Sequence, residues 1–410
     1  MEPRECLVAE FGSRMAAMLE SDGAAAYTVR ARPLLLDLDR VGSRELEDWI
    51  EAAGHEGLLR LRGGPVRPLP KHVREAILAA LDEPDRRPSR GLPELRAAIA
   101  AELVRQAGVA VDPEQEVLVT NGAMQALNIV CRALLEPGDQ VVIPTPNFFF
   151  DGVVRLAGGE PIYVPCSENE GWRWDLDRIE AAVTPRTRIL VACNPTNPTG
   201  YLPSRADLEA LCAMAERHHF VVLSDESYDR FVYDNARLTC LLELRGSSSN
   251  LILVRSLSKS HALAGWRMGY ISARPDLIDA FRKVLEWECL HCAYVPQRAA
   301  TAALEGPQEW LSHLASEYQA VRDQLWATLS ESRWLSCAKP LAGPFFFLNV
   351  RRAEEASHQD GSEMLLGAGL PTVPGRYFQS PGYVRLPFGA DPSTLRRVEH
   401  ILCSFSPPGV

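Results

Sequence analysis

Lysine is scarce in this 410-residue chain: of 43 basic side chains, only Lys71, Lys259, Lys283 and Lys339 are lysines. The scarcity leaves few amines that could act as a nucleophile. Long apolar runs are missing as well, and none approaches the roughly 20 residues that a membrane helix requires. Residues 1–21 are interrupted by Glu2, Arg4, Glu5, Glu10, Arg14 and Glu20, so they lack the apolar core of a secretory signal. Positive charge is in deficit. The formal net charge of -10 argues against nucleic acid or an anionic membrane as a partner and favours small molecules. Cys289 and Cys292 form a single C-x-x-C with His291 between them and no second pair beyond, so no metal is expected. The ten cysteines are dispersed, several within apolar stretches as at Cys131 and Cys193, where a thiol behaves as a small buried hydrophobe. Such usage fits a reducing, cytoplasmic compartment.

What is present is an ordinary globular composition, 46% hydrophobic and 23% charged, on a chain long enough for two domains. Short apolar runs rich in β-branched residues recur at 117–120, 140–144, 161–164, 188–193, 220–224 and 251–255 and read as buried strands. Helix-period segments stand between them at 124–135, 176–183 and 205–217. The alternation predicts an α/β fold with a mostly parallel central sheet between helices. After Pro275 a long helical stretch reaches about residue 303 and resumes over 307–329. A tail with an apolar strand at 345–350 then predicts a smaller α/β domain. The first 55 residues carry two amphipathic segments, one with Leu7, Phe11, Met15, Met18 and Leu19 and one with Leu46, Trp49 and Ile50. Both are expected to pack on the small domain or on a partner subunit.

Four segments bring reactive side chains to the carboxyl ends of these strands, where open α/β sheets bind their ligands. Ser256-Leu257-Ser258-Lys259 follows one strand and precedes Gly265-Trp266-Arg267-Met268-Gly269. A lysine so placed becomes a useful amine when burial or cationic neighbours lower its pKa, whereas a plain loop lysine would not account for the flanking serines and arginine. Leu223-Ser224-Asp225-Glu226-Ser227-Tyr228 ends a second strand, so Asp225 shares an edge with Lys259, although an acid there could merely cap a helix. A third strand ends in Asn194-Pro195-Thr196-Asn197-Pro198-Thr199-Gly200, a rigid turn that aims a side-chain amide at the same edge. Thr120-Asn121-Gly122-Ala123-Met124 joins strand to helix, and unpaired amides at a helix N-terminus attract an anion.

Together these segments resemble the fold-type I pyridoxal-phosphate enzymes, specifically the class I/II, aspartate-aminotransferase-like aminotransferases, over roughly residues 58–390. The resemblance implies an aspartate-aminotransferase-like α/β architecture: an N-terminal extension over 1–65 packing with the small domain, a large cofactor domain over 66–305 and a small domain over 306–410. It implies pyridoxal 5'-phosphate held by Lys259 as a Schiff base, with the same lysine moving the substrate α-proton. Asp225 would pair with the pyridine nitrogen, and Asn197 and Tyr228 with the phenolate oxygen. Backbone amides of Ala123 and Met124, with Ser256 and Arg267, would hold the phosphate. Phe148 would stack on the ring and Ser227 would lie near its opposite face. Arg385, in Tyr383-Val384-Arg385-Leu386-Pro387-Phe388, would grip the substrate α-carboxylate beside Asn197. Gly63, in Leu61-Arg62-Gly63-Gly64-Pro65, matches a glycine whose backbone nears the substrate. A homodimer follows from the family, whose sites are usually built across a subunit interface.

Departures from the pattern accompany the matches. The usual Gly-Glu-Pro-Asp-Phe reads Gly63-Gly64-Pro65-Val66-Arg67, and Arg86 stands where a tyrosine normally reaches the partner subunit's phosphate site. Glu286-Trp287-Glu288-Cys289-Leu290-His291 lies near where dicarboxylate-specific members supply a second arginine, so the expected amino donor is not aspartate. The same catalytic set serves β-eliminating carbon–sulfur lyases and decarboxylating relatives, because fold does not fix reaction. A cofactor-binding regulator is a further alternative, disfavoured by the intact catalytic set and the lack of an appended DNA-binding module.

Overall fold

The structure is a computed structural model that describes residues 58–65, 67–83 and 88–409. The six expected strands form as β1 Val117–Thr120, β2 Gln140–Thr145, β3 Glu160–Pro165, β4 Thr187–Cys193, β5 Val221–Asp225 and β6 Leu251–Ser256. A seventh, β7 Gly269–Ala273, completes a sheet of order β1-β7-β6-β5-β4-β2-β3. The pairs β3–β2, β2–β4, β4–β5 and β5–β6 are parallel. Every residue of β1, β2, β6 and β7 is buried, which is why β1, β2 and β6 read as apolar runs without strict alternation.

Strand β7 is antiparallel to both β1 and β6. The connection over 257–268 holds only the one-turn helix Leu257–Ser260 and the turn Ala264–Trp266. It has no crossover helix to carry the chain back to the far end of the sheet, so the strand returns in the opposite sense.

The helix Ala123–Leu134 follows β1, and Arg205–His218 follows β4. The latter starts on a capping box between Ser204 and Asp207. The stretch after Pro275 is not one helix. It ends at Cys289, passes through Leu290 at φ 61°, and restarts as Tyr294–Glu305. Pro296 falls in the first turn of the second helix, where its missing N–H is harmless, and could not have continued the first.

A second sheet, of order β8-β10-β9, joins β8 Phe345–Asn349, β10 Tyr383–Pro387 and β9 Val373–Pro374, all antiparallel. Its core includes Phe346, Leu348, Val384 and Leu386, packed with Leu325 and Leu329 of the helix Leu314–Ser330. Leu59 belongs to this core, and Arg62 exchanges backbone hydrogen bonds of 2.9 Å with Gly389 in both directions. The described residues 58–62 are therefore attached to the smaller sheet. The two amphipathic segments of the first 55 residues, and Arg86, lie outside the described residues.

Among the described residues no helix is long and apolar enough to cross a membrane, and no group of three His, Cys, Asp or Glu could hold a metal. Cys289 and Cys292 are thiols rather than a disulfide.

Candidate active site

Strands β5 and β6 run parallel with Asp225 opposite Val254, so Asp225 leaves the sheet beside Ser256 and the helical turn that carries Lys259. Asp225 is 6% exposed. Ser227 donates to its Oδ1 twice, from the backbone N–H at 3.0 Å and from the hydroxyl at 2.6 Å. Burial still pushes the Asp225 carboxyl up to about 6, with the neighbouring Glu226 adding to the rise. A carboxylate so placed is restored to its ionised form by a cation beside it. Glu226 itself is held away from the site, at 2.7 Å from Arg255 Nη2 and accepting 2.8 Å from the Leu241 amide.

The stem of Lys259 runs along the backbone of Gly63 and Gly64. A β-carbon on Gly64 would stand 2.9 Å from Lys259 Cδ and 3.7 Å from Nζ, and one on Gly63 would stand 4.0 Å from Nζ and 3.7 Å from the Tyr228 hydroxyl. The amine and the phenol therefore face one small space. Burial raises the Tyr228 phenol while nearby Arg385 pulls it down. Lys71, Lys283 and Lys339 pair with Glu75, Asp279 and Asp323 in partly or wholly exposed ion pairs.

An anion cradle lies alongside. The helix Ala123–Leu134 begins after Gly122 at φ 84°, and no acid occupies its first turn. The amides of Ala123 and Met124 have no acceptor within an α-helix and carry the positive end of its dipole. Arg267 covers this end: a β-carbon on Gly122 would stand 2.7 Å from its Nη2. Its Nη1 reaches Ser258 Oγ at 3.5 Å and the Ala264 carbonyl at 3.3 Å. Ser256 Oγ accepts from the Ser258 amide at 3.2 Å, which leaves its own hydroxyl hydrogen for another acceptor. Amides, hydroxyls and a guanidinium around one point suit a phosphate group.

Arg385 on β10 approaches from the smaller sheet. Its Nη1 donates to Asn197 Oδ1 at 3.0 Å, and its guanidinium carbon lies 5.0 Å and 5.8 Å from the rings of Phe378 and Phe345. Its Nε is buried without an acceptor. A planar donor between aromatic walls, with one donor unfilled, matches a carboxylate ligand.

Asp225, Tyr228, Lys259, Asn197, Arg385 and Gly63 thus converge, while Ala123, Met124, Ser256 and Arg267 form the cradle. Phe148 packs on Phe149 at 4.8 Å and lines a narrow cleft with Tyr163 and Tyr377, so its place over a ring rests on the resemblance. Ser227, expected near the opposite face, is a partner of Asp225 Oδ1. Sequence reasoning missed the part played by Ser258, although it stands in the Ser-x-Ser-Lys motif, and by Phe345, which read only as a core strand residue. Phe378 carried no signal at all.

A ligand using this edge fully would combine an anionic arm for the cradle with a cationic group for Asp225, and α/β enzymes of small-molecule metabolism hold their ligands at strand carboxyl ends. The chain belongs to the aminotransferase class I and II family, whose model matches residues 55–402. It is an aminotransferase of fold type I, the group of families that use pyridoxal phosphate. The aspartate aminotransferase of Pyrococcus abyssi is 33% identical over 360 residues, 86% of this chain and 92% of that protein. Aromatic-amino-acid aminotransferase 2 of Thermococcus litoralis is 31% identical over 360 residues with the same coverages, 86% and 92%. Among solved structures, the aspartate aminotransferase of Thermus thermophilus with maleate superposes with a TM-score of 0.85 at 29% identity, covering 92% of this chain and 99% of that one.

Proposed function

We propose that this aminotransferase uses pyridoxal 5'-phosphate carried on Lys259 and moves an amino group between an amino acid and a 2-keto acid. The observation that carries the reading is the buried Asp225 at the end of β5, next to the strand that leads into Lys259, with the Gly122–Arg267 cradle at the start of the helix after β1. The residues fit the cofactor. Asp225 would face its ring nitrogen, Asn197 and Tyr228 its phenolate oxygen, and Phe148 its ring. The Ala123 and Met124 amides, Ser256 and Arg267 would hold its phosphate. When bound, the cofactor delocalises the electron pair left at the substrate α-carbon.

The protein contributes orientation and proton movement. Arg385 and Asn197 fix the substrate α-carboxylate and so turn the Cα–H bond toward the Lys259 amine. Lys259 Nζ takes the α-proton and returns it to a different carbon, as a general base and then a general acid. Asp225 stays ionised against a cationic ring nitrogen, which offsets the burial that otherwise favours its acid form.

Domain limits of 1–65, 66–305 and 306–410, a cytoplasmic location and a homodimer belong to the same proposal. Exposed apolar side chains at Leu78, Leu81, Trp287 and Leu290 support a subunit interface. The preferred donor is proposed not to be aspartate. In the stretch 286–291 the carboxylates of Glu286 and Glu288 bond to Arg282 and Asn128, and the outward side chains Trp287 and Leu290 are apolar.

The test is a panel of amino acids given to the cofactor-loaded enzyme and to Lys259→Ala. Keto acid formed in proportion to enzyme without ammonia, and lost in the variant, supports transamination. Ammonia release would replace it by β-elimination, and turnover persisting in the variant would remove Lys259 from the mechanism.

A further inference from the structure

Gly64 stands where the family motif carries a glutamate, and its backbone does not require glycine. Unlike Gly122, it does not adopt a left-handed φ. What a side chain would meet is the lysine itself: its first carbon would stand 2.9 Å from Lys259 Cδ, so the stem would have to shift. The backbone cannot retreat to make room. Arg62 is paired with Gly389 through two hydrogen bonds of 2.9 Å, and a β-carbon on Gly389 would already stand 2.5 Å from the Gly64 carbonyl oxygen. Gly64 is thus a notch with a fixed floor, and the Lys259 stem occupies it.

Resting on the cofactor assignment above, we propose that Gly64 is a positioning residue: its missing β-carbon receives the Lys259 stem after a substrate amine has taken the lysine's place on the cofactor. In that exchange the carbon–nitrogen double bond to Lys259 breaks as one to the substrate nitrogen forms. The two hydrogens of the incoming amine pass to Lys259, which leaves as a neutral amine with no change of oxidation state. The departing stem must lie somewhere that keeps Nζ close to the substrate α-carbon, and the notch supplies that place beside Gly63 and Tyr228. A β-carbon at 64 would push the stem off its preferred rotamer and favour its return to the cofactor.

A matched pair of ligands isolates this step. 2-Aminoisobutyrate has an amine that exchanges with the lysine but no α-hydrogen to lose, and 2-hydroxyisobutyrate keeps the carboxylate but cannot exchange. Holoenzyme is titrated with the first by absorbance, and the second is measured as its competitor, in wild type, Gly64→Ala and Gly64→Ser. The expected result is a dissociation constant for the amine raised about two- to tenfold in Gly64→Ala, and further in Gly64→Ser, with the hydroxy acid changed by less than about twofold. Equal weakening of both ligands, or of neither, would overturn the inference. Borohydride reduction followed by mass spectrometry reports loading: a normal Lys259 adduct with unaltered amine affinity in both variants sinks the notch alone, whereas no adduct in wild type sinks the cofactor assignment and the notch with it.

Discussion

Arg385 of the smaller sheet donates to Oδ1 of Asn197 in the turn after β4 of the larger sheet, across 3.0 Å. The position proposed for the substrate carboxylate is therefore built jointly by two sheets.

Arg385→Lys keeps the charge but removes the planar fork that spans Asn197 and a carboxylate. Its kcat/KM with any amino donor is expected to fall by about 10- to 100-fold, corresponding to one or two charge-assisted hydrogen bonds. Steady-state kinetics with an unchanged far-ultraviolet spectrum would establish it. A loss of activity explained by unfolding would refute it.

Asp225 gives a pH dependence whose sign is fixed. Burial raises its folded carboxyl from 3.8 to about 6, so the acid form is favoured by the fold in protein freed of cofactor. The stability it contributes is complete below the unfolded value and is lost as pH rises through the folded one. Relative to Asp225→Asn, wild type should lose about 2 kcal/mol between about pH 4.5 and about pH 7.5. Urea unfolding of both proteins measures it, and parallel curves would show that Asp225 is not buried in this way.

Gly122→Ala places a side chain at φ 84° and 2.7 Å from Arg267 Nη2. The backbone strain costs about 1–2 kcal/mol, and displacement of the guanidinium opens the cradle. Affinity for pyridoxal phosphate should drop about tenfold or more, the equivalent of one lost charge-assisted contact. Equilibrium dialysis reads this directly. Undiminished affinity would place the phosphate elsewhere.

Arg255→Met tests the support behind the site. Arg255 is bound to Glu226 by Nε at 3.1 Å and Nη2 at 2.7 Å, and removing it leaves a buried carboxylate unpaired. A loss of about 3–5 kcal/mol is expected, and Glu226→Gln in the same background should recover part of it. Denaturant midpoints decide, since a purely steric loss would show no recovery.

Much of this arrangement could be read from the chain. Lys259, Asp225 and Asn197 announce themselves because each directly follows an apolar run, and the end of a buried strand fixes both position and direction. Strand β7 was hidden because Gly269 and Ser272 break its apolar pattern and its sense depends on the missing crossover helix. The break at Leu290 was hidden because helical periodicity runs through it. Phe378 could not be read because it lies in a short turn before β10 with no periodicity of its own, and the notch at Gly64 because it depends on where the smaller sheet comes to rest against the larger one. Adjacency in space between residues over a hundred positions apart has no local signature.

The scarcity of lysine has a practical consequence. Lys71, Lys283 and Lys339 sit in ion pairs with one carboxylate each and can be exchanged for arginine at small cost in stability. The triple variant would carry Lys259 as its sole side-chain amine. Borohydride reduction of the loaded enzyme then fixes the cofactor's mass on the one side-chain amine, and the intact-mass spectrum gauges how much of the enzyme is loaded.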